Sequence, residues 1–253
     1  MRSAFPSGDP GRAPRRGAAI TALALGLVLA APAGALSAWA GLSAAYLPKA
    51  LAVFGAGVAL VLATLPAGHP HARFGPANQV TLARLALAAL LAGLLGERVA
   101  PLVAWVVVVV GACAAVLDAL DGPLARRTGL ASAFGARFDM ETDAVLMLAL
   151  ATLAWQLGKA GPWILLAGLL RYLFVGAGRL RRWLERPLPP STRRKTACVV
   201  QIVALVVCLA PIVPHPASAA IAGGALALLV YSFAADVAWL RRHARVPLLE
   251  AAR

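Results

Sequence analysis

Four aspartates are spaced to share a cation. Asp118 and Asp121 stand three apart, and Asp139 and Asp143 stand four apart, so each pair falls on one face if its segment is helical. The window from 118 to 143 reads DALDGPLARRTGLASAFGARFDMETD and holds five of the chain's ten acidic residues. If the two helices pack antiparallel, four carboxylates converge. Like charges that close repel, and one would protonate unless a cation sat between them. Hard oxygen donors suit Mg²⁺, Mn²⁺ or Ca²⁺, and four carboxylates suffice for two ions. Gly122 follows Asp121 directly, where the lack of a side chain lets a ligand approach the backbone. Ala125 is small, and Arg126 offers a forked donor suited to phosphate. Paired metals, an arginine and an open backbone together suit phosphoryl transfer. The metals neutralise phosphate oxygens while a carboxylate deprotonates the attacking hydroxyl. Glu141 lies off the Asp139/Asp143 face and reads as a neighbour or as a solvated charge.

The elements that must position these acids are apolar. The chain has 253 residues, 61% hydrophobic and 13% charged, with a net charge of +14. Its apolar residues come in runs that reach transmembrane length. Eight segments are expected, at approximately 18–38, 48–66, 79–96, 99–117, 138–158, 162–178, 196–213 and 217–240. The sequence contains no alternation long enough to suggest a barrel. Arginines and lysines cluster between the apolar runs, which favours membrane anchoring over nucleic acid. Arg12, Arg15, Arg16, Arg73, Arg126, Arg127, Arg137, the run from Arg179 to Lys195, and Arg241 to Arg245 fall on one set of junctions. That asymmetry predicts cytoplasmic termini and a cytoplasmic acidic window. A polar turn of about twenty residues, with Gly122, Pro123, Gly129 and Gly135, is expected between the fourth and fifth segments. Residues 1–17 are expected to be a disordered basic lead. APAGALSAWA could end a cleaved signal peptide, but the apolar stretch outruns a usual signal core and favours an uncleaved helix. Cys113, Cys198 and Cys208 lie in apolar runs with no zinc-type spacing and read as small hydrophobes.

Read in order, the window gives Asp118-x2-Asp121-Gly122-x2-Ala125-Arg126-x8-Gly135-x3-Asp139-x3-Asp143. This resembles the signature of the CDP-alcohol phosphotransferases, with each of its eight positions filled. The wider resemblance runs from about residue 74 to 240. It implies a six-helix catalytic bundle over 74–240; with the apolar runs, the chain reads as an all-α integral membrane protein in which two accessory helices over 18–66 lie outside the resemblance and 241–253 is a basic cytoplasmic tail. It implies that an alcohol attacks the β-phosphate of a CDP-lipid, usually CDP-diacylglycerol, and that CMP leaves. By the same resemblance Asp118, Asp121, Asp139 and Asp143 hold two Mg²⁺ or Mn²⁺ ions, and Asp143 is the general base. Gly122, Ala125 and Arg126 would line the CDP pocket, and Gly135 would allow close helix approach. The site would face the cytoplasm from the inner membrane; a homodimer is compatible, and nucleic acid is not a partner.

Other residues bear on substrates. Pro76, Asn78, Thr81, Leu82 and Arg84 resemble the start of the family's first core helix. Asn78 and Thr81 read either as nucleotide contacts or, for Asn78, as a helix cap; Arg84 reads as snorkelling to the headgroups. Arg171 lies mid-segment, where a charge is functional by default, though Arg171-Tyr172 departs from the Arg-Glu of some glycerol 3-phosphate enzymes. Arg194, Lys195 and Thr196 form, with Arg193, a basic stretch suited to a phosphorylated acceptor, with glycerol 3-phosphate the leading candidate. The same residues also read as ordinary positive-inside charge, and Gln201 lies further from Thr196 than in those enzymes. The histidines read as interfacial, and Asp236 as a partner of Arg241 or Arg242. Two rival readings are an intramembrane prenyltransferase, which usually carries two separated Asp-rich motifs, and a cation transporter or lipid-binding relative without catalysis.

Overall fold

The computed structural model describes residues 12–65, 69–189 and 191–243. Among the described residues eight α-helices follow one another: α1 (Arg12–Ala40), α2 (Tyr46–Thr64), α3 (Pro76–Gly93), α4 (Pro101–Thr128), α5 (Ala133–Gln156), α6 (Leu166–Leu180), α7 (Thr192–Leu209) and α8 (His215–His243). Short 3₁₀ turns at Pro162–Leu165 and Arg182–Glu185 flank α6, and no strand occurs among the described residues. Among the described residues five helices are long and apolar enough to cross a membrane: α1, α2, α4, α6 with its preceding turn, and α8. Their outer faces stay exposed, as Leu27 on α1 and Val116 on α4 show. Apolar helices of this length with apolar outer surfaces mark a multi-pass membrane protein. In one compact unit of the chain the polar residues of interest lie on α3, at the end of α4 and at the start of α5.

Several boundaries differ from expectation. Helix α1 begins at Arg12, within the stretch expected to be disordered, and residues 1–11 lie outside the described part. The basic tail is helical through His243, and residues 244–253 also lie outside it. The long polar turn after the fourth segment is replaced by helix. Helix α4 continues to Thr128 with Pro123 inside it, and α5 begins at Ala133, so only residues 129–132 connect them. Proline and glycine suggested a break, but one proline near a helix end removes only one hydrogen bond. The turn comes instead at Gly129, whose φ of 66° terminates α4 in the left-handed conformation that favours glycine.

The chain forms two compact units. The first combines residues up to Arg98 with Cys113–Asp143. In it α1, α2 and α3 pack on one another. Gly93 lets α3 approach α2 closely: an added Cβ would lie 3.0 Å from Ala50 and from the Tyr46 ring. The α1–α2 and α3–α4 connections are tied by Glu97. Its carboxylate accepts from Lys49 Nζ at 2.6 Å, from Ser43 N at 2.8 Å and from Ser43 Oγ at 2.7 Å. Lys49 Nζ also donates to Leu95 O at 2.7 Å.

The second unit combines Val99–Ala112 with the chain from Ala144 on. There α8 packs on α7 and α6, around Ala167, Ala197, Leu226 and Leu229. Lys159 Nζ donates to Ala210 O at 3.0 Å and Val213 O at 2.6 Å, which ties the α5–α6 and α7–α8 connections. Asp236 is buried and pairs with Arg193, and with Arg194 at 3.3 Å, not with Arg241 or Arg242. Those two lie five and six residues on, off the Asp236 face of α8, and are exposed.

The Glu97 cluster makes stability depend on acid. Lys49, then the Ser43 backbone and hydroxyl, hold the Glu97 carboxyl down at about 2, from an ordinary value of 4.5. A carboxyl lowered by folding contributes stability above its unfolded value, and that contribution is lost as pH falls through the folded value. Glu97→Gln should therefore melt at lower temperature than wild type at neutral pH. The gap should stay constant down to about pH 5 and close between about 4.5 and 2. Thermal unfolding of both proteins across that range checks it; a gap independent of pH contradicts it.

Candidate active site

The site is built where α3, the end of α4 and the start of α5 meet in the first unit. Asp118 and Asp121 lie one turn apart on α4, and Asp139 and Asp143 one turn apart on α5. The connection between these helices is held by the segment preceding α3. His69 is buried, and its Nε2 faces the Arg73 carbonyl at 2.7 Å, so Nε2 carries the proton. Nδ1 then accepts from Ser132 Oγ at 3.1 Å. Ser132 Oγ in turn accepts from Gly135 N at 3.0 Å, which satisfies an amide in the first turn of α5. His71 Nε2 lies 3.2 Å from Ala131 O. Both histidines thus brace the connection that joins the two aspartate pairs.

Helix α3 starts at Gly75, whose φ of 84° turns the chain, with Pro76 as its first residue. Asn78 is therefore inside the helix and does not cap it. It is buried, and its Nδ2 donates to Phe74 O at 2.5 Å. Its Oδ1 faces Gly135, where an added Cβ would lie only 2.9 Å away. Thr81 is buried, with Oγ1 3.1 Å from Ala77 O and 3.4 Å from Asp121 Oδ2.

The centre of the site is Arg84. It does not snorkel; it is 0% exposed and is among the largest fully buried side chains. Nη1 pairs with Asp121 Oδ2 at 2.7 Å and Asp139 Oδ1 at 2.5 Å, and Nη2 with Asp118 Oδ1 at 2.7 Å and Asp143 Oδ1. One guanidinium thus gathers all four aspartates. The residue was visible in the sequence as a lone charge in an apolar helix. A charge so placed is functional by default, for Arg84 as for Arg171.

The donor set fits divalent cations. Single carboxylate oxygens of Asp118, Asp121 and Asp139 lie within 4.8 Å of one another, and Asp143 joins them at Arg84. Four negative charges against one positive leave three negative charges to neutralise, and the ligands are all hard oxygens. Gly122 has room on its open side: the nearest neighbour to an added Cβ is Arg126 Nη1, at 3.5 Å. Arg126 is exposed, and Ala125 is partly buried on the same turn. Glu141 is half-buried on α5.

The residues expected at the acceptor lie in the second unit. Arg171 is half-buried in mid-α6. Arg194 is engaged with Asp236 and with the Pro189 carbonyl, whereas Lys195 and Thr196 are exposed in the first turns of α7. Gln201 on α7 is fully buried, and neither of its amide atoms has a hydrogen-bond partner among the described residues.

Fold and site together define an all-helical membrane protein with an acidic, cation-fitting centre. The family model for CDP-alcohol phosphatidyltransferase matches residues 74–234, more than half of the chain, and the protein belongs to that family. No curated protein and no solved structure matches the chain. Family membership supports enzyme status and the transfer of a phosphatidyl group from a CDP-alcohol. It speaks against the prenyltransferase and transporter readings.

The approach of α3 to α5 at Gly135 is testable. Gly135→Ala would press a methyl against Asn78, whose amide is already committed to Phe74. A cost of roughly 1–3 kcal/mol is expected from overpacking, read as a lower melting temperature of the purified protein. An unchanged melting temperature contradicts the close approach.

Proposed function

We propose that this protein transfers a phosphatidyl group from CDP-diacylglycerol to an alcohol, releasing CMP, and that it requires two Mg²⁺ or Mn²⁺ ions. One observation carries the reading: Asp118, Asp121, Asp139 and Asp143, the acids of the family signature, converge on one point. Those four residues would hold the ions, which supply charge neutralisation for the diphosphate and the departing CMP.

The chain's own groups do the rest. Asp143 accepts the proton of the acceptor hydroxyl as that oxygen bonds to the β-phosphorus. The bond from that phosphorus to the bridging oxygen breaks, and CMP leaves with the electron pair. Arg126 offers paired N–H donors to the diphosphate, and the open side of Gly122 admits it close to the backbone. Asn78 and Thr81, buried beside these elements, would order the nucleotide side of the site. Arg171, Lys195 and Thr196 would serve the acceptor, with glycerol 3-phosphate the first candidate because the stretch is cationic. Arg194 contributes less to this than the sequence suggested, since it is bound to Asp236. The clustering of arginines on alternate connections favours a cytoplasmic site on the inner membrane, where the lipid tail stays in the bilayer while the CDP head reaches water.

Purified protein incubated with CDP-diacylglycerol, Mn²⁺ and a panel of alcohols should release CMP with at least one acceptor. Release with none refutes the proposal. Asp143→Asn should lower turnover by about 10²–10⁴-fold while CDP-diacylglycerol binding persists. Turnover equal to wild type would remove Asp143 from the role of base.

A further inference from the structure

Arg84 does more than complete an ion-pair network. Its guanidinium is fully buried and spends both Nη groups on four carboxylates. Its Nε, also buried, has no hydrogen-bond partner among the described residues. A guanidinium has five N–H donors in a fixed fork. This one is therefore placed to spread charge over the acids at the expense of its own hydrogen bonding. Four carboxylates this close repel one another, and an opposing charge among them offsets that repulsion. The protein carries a cation of its own at that point.

A divalent ion and this guanidinium compete for the same carboxylates. Mg²⁺ or Mn²⁺ binds carboxylate oxygens at about 2.0–2.2 Å. An ion among the Asp118, Asp121 and Asp139 oxygens, which lie within 4.8 Å of one another, would stand close to a guanidinium bonded to those same residues. Both are positive, and Arg84 is fully buried, so their repulsion is screened less than it would be in water.

We infer that Arg84 is a built-in counter-ion. It holds the four aspartates together on one guanidinium, and it yields part of its contacts when the ions bind. The inference rests on the metal-dependent reading above. It gives Arg84 a positioning role with two effects. Metal affinity is set lower than the four carboxylates alone would give. Asp143, paired with Arg84 Nη2, is freed to face the acceptor only as the ions load and the guanidinium gives up that contact.

The test is Mn²⁺ binding by the full-length protein in lipid nanodiscs, read from the spectroscopic signal of free Mn²⁺. Wild type, Arg84→Gln and Arg84→Lys are compared, with melting temperatures taken with and without Mn²⁺. Arg84→Gln should bind Mn²⁺ about tenfold tighter than wild type or better, the scale of a close charge pair. Its melting temperature should be lower without metal and should rise more when Mn²⁺ is added. Arg84→Lys keeps the charge but cannot fork across four acids, so it should fall between the two. If Arg84→Gln does not fold, Arg84→Lys decides alone: tighter binding than wild type supports the inference. Binding no tighter than wild type in every variant that folds overturns it, because a merely structural arginine would weaken the site when removed. Wild type that binds no Mn²⁺ overturns the metal-dependent reading itself. Mn²⁺-dependent CMP release by wild type, with no tightening in the variants, leaves that reading standing and refutes only the role of Arg84.

Discussion

Four carboxylates cannot be brought to one point in an apolar chain unless positive charge meets them there. Taking such charges out of water costs several kcal/mol per ion, and their mutual repulsion adds to it. In this protein Arg84 supplies the nearest opposing charge, reaching Asp118, Asp121, Asp139 and Asp143 at once. The surrounding elements can be understood from that constraint. Helix α3 delivers the arginine. The four-residue connection that begins at Gly129 sets the α4 pair against the α5 pair, and His69 and His71 fix that connection to the segment before α3. Gly135 removes the one side chain that would keep α5 away from Asn78.

The same constraint explains why the polar residues are gathered rather than scattered. A membrane helix tolerates charge when it is paired or faces a polar centre. Arg84, the four aspartates and Thr81 form one such centre, and Asp236 with Arg193 and Arg194 forms another in the second unit. Elsewhere the exposed side chains of α1, α4 and α8 are largely apolar and suit lipid. An acidic centre left three charges short of neutrality by its own arginine fits divalent ions, and divalent ions fit the diphosphate chemistry of the family to which residues 74–234 belong.

What the sequence disclosed and what it concealed divide by range. The aspartate pairs were legible because spacings of three and four decide a helix face locally. The eight helices were legible because apolar runs are local too. Arg84 was misread because its partners lie 37 residues away at Asp121 and 59 away at Asp143. A lone arginine near a helix start reads equally well as a headgroup anchor. Asp236 was misassigned for the same reason: nearby Arg241 and Arg242 competed on paper with Arg193, 43 residues off. Pro123 misled in the opposite direction. It suggested a loop, whereas the helix absorbs it and turns only at Gly129. The bracing role of His69 depended on Ser132, 63 residues on, and had no local signal.

The central claim is that the carboxylate centre is where metal and the CDP headgroup meet. Crystals of the full chain grown with Mn²⁺ and CDP-diacylglycerol test it most directly, through the anomalous scattering of manganese. The account predicts two manganese peaks within coordination distance of the Asp118, Asp121, Asp139 and Asp143 carboxylates, with the diphosphate against them. Manganese bound elsewhere, or a diphosphate bound away from these four residues, would contradict it.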